Sequence, residues 1–237
     1  MTARHAARTT ATTTRPRSPG LDGVRALAVL AVMAFHEGIG AVPGGFLGVD
    51  VFFVLSGYLI TDLLTAHMDS HGRLDLRGFW TRRARRLLPA LAVVLVTVTA
   101  AVAVIDSGQL AALRPALMAA ATYSSNWYQA VHHVPYFASF GPPPPLQHLW
   151  SLAIEEQFYL LWPLILGVVL SRVRSRRDRA LVAWLGAVAS AVIMAFLYAP
   201  GEDPSRVYYG TDTHATALLI GAALALTWPL ARLTSAA

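Results

Sequence analysis

Six apolar stretches lie at or near the length of about 20 helical residues needed to cross a hydrocarbon layer. They are Val24–Ile39, Phe46–Ala66, Leu88–Ile105, Leu149–Leu170, Leu181–Ala199 and Thr211–Ala231. Lipid offers the backbone no hydrogen-bond partners, so such stretches must satisfy themselves as helices. The expected fold is therefore all-α, a polytopic integral-membrane helix bundle of about six transmembrane helices. A mean hydropathy of +0.50, with 55% apolar and 14% charged residues, excludes an ordinary soluble composition. A seventh stretch, Ala111–Ala130, is interrupted by Arg114, Pro115 and Asn126 and is expected to be a lumenal or re-entrant helix.

Arginine placement orients the bundle. The 19 basic residues are all arginine. Most of them gather in a tail (Arg4, Arg8, Arg15, Arg17), after the second stretch (Arg73, Arg77, Arg82, Arg83, Arg85, Arg86) and after the fourth (Arg172, Arg174, Arg176, Arg177, Arg179). The positive-inside rule places all three clusters on the cytoplasmic side, so an even number of crossings separates them. This predicts a cytoplasmic N-terminus in the inner (plasma) membrane, with residues 1–19 as a disordered basic tail before an uncleaved signal anchor. The formal charge of +6 suits membrane lipid as partner, and no nucleic-acid motif accompanies it. Pro142–Pro145 is expected to be a stiff extended run outside the membrane. The absence of cysteine removes disulfides, thiolate zinc sites and a cysteine nucleophile. His132-His133 is too sparse for a metal site, so no metal is expected.

Four polar constellations interrupt the apolar background. Arg25 and His36 stand eleven positions apart in the first stretch, nearly on one helix face and roughly 16 Å apart along its axis. In Gln147–Pro163, His148, Ser151, Glu155 and Tyr159 share a narrow arc, and Glu156 lies about 100° around from Glu155. Carboxylates this deep need neutralisation, pairing or hydration, and a clasp onto an arginine such as Arg25 is one solution. In Gly44–Thr61 the glycines suit close helix approach. Asp50 there is positioned to balance His36, or to cap its helix or pair an arginine. Ser56 is expected to bond its own preceding carbonyl and is assigned no chemistry. The Phe79–Pro89 segment carries paired arginines that either anchor a helix end to anionic lipid or grip phosphates.

The combination resembles the membrane-bound acyltransferase family 3, which includes bacterial O-acetyltransferases. The resemblance rests on Leu21-Asp-Gly-Val-Arg25 with ten residues before His36, Gly45-Phe-Leu-Gly-Val-Asp-Val-Phe-Phe-Val-Leu-Ser-Gly-Tyr58, and Arg82-Arg-Ala-Arg-Arg-Leu-Leu-Pro89. It continues in His148-Leu-Trp-Ser-Leu-Ala-Ile-Glu-Glu-Gln-Phe-Tyr159 and Tyr209-Gly-Thr-Asp-Thr-His-Ala215. It implies transfer of an acyl group, commonly acetyl, from acyl-CoA to a hydroxyl of a glycan or glycosylated metabolite. The family's essential arginine and histidine fall on Arg25 and His36. His36 would act as general base or transient acyl carrier, and an imidazole suits either role. Arg25 would face the donor, Arg82, Arg83, Arg85 and Arg86 would attract the CoA phosphates, and Glu155 or Glu156 would pair a cation or hold the acceptor. Asp50, Ser151, His148, Asp212 and His214 would bind substrate or support the site. His214 stands where the family pattern has an arginine. The family fold has about ten spans, so residues 20–237 are expected to be an incomplete, N-terminal part of the acyltransferase domain. A missing C-terminal part or partner subunit would then complete it. A transporter or flippase, or a truncated non-catalytic remnant, are the alternative readings.

Overall fold

The computed structural model describes residues 19–136 and 144–231, and no strand occurs among them. Residues 1–18 of the basic tail and Pro142–Pro143 of the proline run lie outside the described residues, and Pro19, expected in the tail, already opens the first helix. Helix α1 (Pro19–His36) leads through a 3-10 turn at Gly45–Leu47 into α2 (Gly48–His71), and α3 (Leu76–Ile105) follows. Two short helices come next, α4 (Leu110–Ala121) and α5 (Ser125–Val131), then α6 (Leu149–Arg172) and α7 (Arg176–Leu197). Helix α8 (Ser205–Tyr209) and α9 (Thr211–Thr227) complete the fold.

Among the described residues, five segments are long and apolar enough to cross a membrane: α1, the 3-10 turn with α2, α3, α6 and α7. Helix α9, the sixth expected span, has 17 residues. The stretch expected to be re-entrant is two helices of 12 and 7 residues, each far short of a span. Their junction turns at Tyr123, whose φ of 52° is left-handed. The long helices start earlier than hydropathy suggests where arginines precede the apolar run. Helix α3 opens at Leu76, twelve residues before Leu88, because Asp75 caps it by accepting from the Gly78 N–H at 2.9 Å. The arginine motif therefore lies on a helix, with Pro89 inside it.

The centre is built from α2, α6, α7 and α9. Helices α2 and α9 cross in backbone contact, since a Cβ on Gly57 would collide with the Leu218 carbonyl and one on Gly221 with that of Val54. Gly45 and Gly48 meet the Ala31 and Ala28 carbonyls of α1 in the same way. The expected use of glycine for close packing therefore holds in this bundle. Ser190 of α7 locks onto α9, donating to the Thr213 carbonyl at 2.9 Å and accepting from the Thr216 N–H at 2.9 Å. At the far end, Tyr58 donates to the Trp228 carbonyl and the Leu230 N–H to Asp62. The apolar core runs through Phe53, Ile154, Leu166, Leu218 and Ala222. Helices α1 and α3 bury little, only Ala28 of α1 and Phe79 and Leu91 of α3. The rest of their apolar surface suits lipid.

Asp69 at the end of α2 pairs with Arg176 at the start of α7 at 2.7 Å, which brings the two described arginine clusters to one end of the bundle. Helix α3 leaves that end and α6 returns to it, and α4 and α5 do not cross between them. This is the even count the arginine distribution requires.

Candidate active site

Two polar centres sit on the same helices. Asp50 and Ser56 of α2 mark them, six residues and so about 9 Å apart along the axis.

The first centre is charged. Ser56 donates its hydroxyl to Glu155 of α6, which corrects the expectation that it bonds its own preceding carbonyl. Arg25 of α1, half-buried, and Arg83 of α3 both lie within electrostatic reach of Glu155. The expected clasp forms with a different arginine for the neighbouring carboxylate: Glu156 faces Arg83 at 3.7 Å. The Arg83 guanidinium also stacks on the Tyr159 ring at 3.5 Å from its centroid. Two arginines and two glutamates thus balance formally, which is what a low-dielectric interior demands. Arg82, Arg85 and Arg86 are exposed, and Arg82 lies 3.6 Å from Asp75. The arginine motif therefore splits into one inward and three outward side chains.

The second centre is aromatic. His214 of α9, 5% exposed, is walled by Phe53, Trp150 and Tyr208 at ring-centroid distances of 5.4 to 5.7 Å. Its Nε2 lies 3.8 Å from Asp50, and its buried Nδ1 has no hydrogen-bond partner. Asp50 therefore lies beside His214 rather than His36. Tyr136 packs on Tyr208 at 4.1 Å and reaches His36 at 6.3 Å, ring to ring. Burial pushes the Tyr136 and Tyr208 hydroxyls upward from the ordinary phenol range, and Tyr209 to about 12. All three remain protonated donors at neutral pH. His36 is exposed at the end of α1, where its Nδ1 lies 2.8 Å from the Val32 carbonyl. A carbonyl only accepts, so Nδ1 carries a hydrogen in this contact and Nε2 is the ring nitrogen left free of it.

Other expected residues have different surroundings. Ser151 donates to the His148 carbonyl at 3.3 Å, within its own helix. The His148 side chain is exposed at the start of α6. Asp212 is held by both terminal nitrogens of Arg206, at 3.0 and 2.7 Å. Among the described residues no group of three metal-ligating side chains gathers.

Several participants carry no sequence signal of their own. Asn126, fully buried, donates to the Tyr209 carbonyl and to Thr211, and Gln157 donates to Asn126 and the Tyr123 carbonyl. Thr211 in turn donates to Gln157 at 2.6 Å. This closed network ties α5, α6 and α9 together beneath the aromatic centre. Asn126 appears in the sequence only as a break in an apolar run, which is the one clue to it.

Residues 18–235 match the family model described as an acyltransferase domain. The chain is 52% identical over 217 residues to the peptidoglycan O-acetyltransferase OatA of Listeria monocytogenes, covering 91% of this chain and 35% of that protein. It is 51% identical to a Bacillus subtilis protein named "Putative peptidoglycan O-acetyltransferase YrhL", covering 92% of this chain and 34% of that one. The chain thus spans about a third of the length of these relatives. No solved structure matches it. With the family match running through all the described helices, the chain belongs to the membrane-bound acyltransferase family 3.

Proposed function

We propose that the chain is the membrane part of an O-acyltransferase that takes an acyl group, acetyl by preference, from acyl-CoA on the cytoplasmic side. It delivers that group to a glycan hydroxyl on the outer side of the plasma membrane. The names of the relatives point to peptidoglycan as the acceptor. The observation that carries this reading is the placement of His36: its Nδ1 lies 2.8 Å from the Val32 carbonyl at an exposed helix end, so in the neutral tautomer that this contact favours Nε2 is the free base. That is the form a general base needs.

In the proposed reaction, His36 Nε2 takes the proton of the acceptor hydroxyl as its oxygen attacks the thioester carbonyl. The C–S bond breaks and CoA leaves as a thiolate that is then protonated. Arg25, about three turns back along the same face of α1, supports charge on the donor side. The exposed Arg82, Arg85 and Arg86 attract the CoA phosphates, and Asp50 and His214 hold the acceptor against Tyr136 and Tyr208.

The test is His36→Ala in the full-length protein, in sealed membrane vesicles given labelled acetyl-CoA. Transfer should vanish while membrane insertion stays normal. Wild-type transfer by this variant would overturn the assignment, and glycan movement without any acyl donor would favour a transporter instead.

A further inference from the structure

A cavity of about 270 Å³ lies between α3, the α4–α5 turn and α6. It is smaller than the roughly 300–1,000 Å³ that encloses a whole small ligand, so it suits a segment of one. Its walls are mainly apolar: Trp80, Ala84, Leu87, Leu88 and Leu160. The polar atoms around it are largely committed. Trp80 donates to the Tyr159 carbonyl at 3.0 Å, and Thr122 to that of Met118 at 2.8 Å. Both ends of the Gln157 amide are engaged, its oxygen by Thr211 and its nitrogen by the Tyr123 carbonyl.

Two lining groups stand apart. The Arg83 Nε–H and Glu156 Oε1 are both buried without a hydrogen-bond partner, and the Arg83–Glu156 contact at 3.7 Å is too long to serve as one. Burying one unused donor and one unused acceptor is costly, and the pair persists only if something else fills it. A secondary amide on an otherwise apolar chain offers one donor and one acceptor on separate atoms that point to opposite sides, where a hydroxyl would have to serve both from a single oxygen. The left-handed turn at Tyr123, a conformation that costs free energy away from glycine, holds the third wall in place.

We infer that this cavity binds an amide of the pantetheine arm of the acyl-CoA donor, its carbonyl accepting from Arg83 Nε and its N–H donating to Glu156. The inference rests on the acyl-CoA reading above. It assigns Arg83 a role distinct from that of Arg82, Arg85 and Arg86, which reach the phosphates. The nucleotide end stays with the exposed arginines while the amide arm enters the bundle between α3 and α6, next to Glu155 and Ser56.

The experiment measures binding to the full-length protein in nanodiscs with three probes: CoA, pantetheine without phosphates, and 3′-phosphoadenosine 5′-diphosphate without the arm. Two variants, Ala84→Phe and Leu160→Trp, fill the cavity without touching the ion pair. Either one should weaken CoA and pantetheine about tenfold or more and leave the nucleotide probe within about twofold. Unchanged pantetheine affinity in both variants, or a high-resolution map of the CoA complex with only water between Arg83 and Glu156, would overturn the proposal. Failure of pantetheine with the nucleotide still bound refutes this cavity alone. Failure of all three probes on the wild type refutes the acyl-CoA donor as well.

Discussion

The charged centre around Glu155 and the aromatic centre around His214 solve the same problem by different means. Both place ionisable groups on helices whose other faces are apolar. The charged centre keeps its groups ionisable by opposing them, Arg83 with Glu156 and Arg25 near Glu155, with Ser56 as donor. The aromatic centre uses neutral rings and leaves one carboxylate, Asp50, with a side chain 38% exposed. The difference follows position along the helix: groups deep in the bundle need a partner, while those near an end borrow solvent. A charged centre of this kind tolerates little, and an aromatic one can lose a polar atom cheaply.

The largest expected effect strikes both centres together. Gly57 sits beside Ser56 and allows α2 and α9 to touch, so Gly57→Leu should force them apart and cost about 3 kcal/mol or more. Folded, monodisperse protein in detergent should be nearly absent. A normal yield and melting temperature would show that the crossing does not hold the two centres together.

Next comes the charged centre alone. Glu156→Ala leaves the Arg83 guanidinium without its partner. The cost should be about 3 kcal/mol, at the low end for a broken buried pair because the Arg83 side chain is 25% exposed. Adding Arg83→Met should restore more than half of the loss. Equal stability of the single and double variants in chemical denaturation would mean that the two side chains do not interact.

The aromatic centre should respond in the opposite way. His214→Phe removes an unpaired buried nitrogen and keeps a ring against Phe53, Trp150 and Tyr208. Stability should stay within about 1 kcal/mol of wild type or rise, while acyl transfer drops. A large loss of melting temperature would place His214 among the structural pairs and erase the contrast drawn here.

The smallest effect lies at the helix cap outside the bundle. The Gly78 N–H, with Arg82 adding to it, holds the Asp75 carboxyl below the usual aspartate range. A folded-state value below the unfolded one stabilises above the unfolded value, and that contribution fades as pH falls through about 4 and below. Asp75→Asn keeps a capping acceptor but cannot titrate. Its melting temperature should therefore decline slightly less than wild type between pH 6 and pH 3, a range chosen to bracket about 4. Identical declines would show that the cap is not coupled to pH.

Much of the fold is legible in the sequence because hydropathy and periodicity are local. The apolar runs give the long helices, Arg114, Pro115 and Asn126 mark the broken α4–α5 pair, and the spacing of Arg25 and His36 sets them on one helix. The arginine clusters fix which ends lie together, confirmed by the Asp69–Arg176 contact. Helix partners were harder to read. Asp50 lies beside His214 instead of His36, Glu156 meets Arg83 instead of Arg25, and Ser56 turns away from its own carbonyl toward α6.

The sequence by itself determined that this is an all-helical membrane bundle carrying an arginine–histidine helix and a glutamate pair within it. Only the tertiary structure decided which arginine meets which glutamate, which ring surrounds His214, and where the cavity beside Arg83 lies. The physical reason is rotational. A helix read alone has a known period, but its neighbours and its angle about its own axis are set by the close contacts at Gly45, Gly48, Gly57 and Gly221.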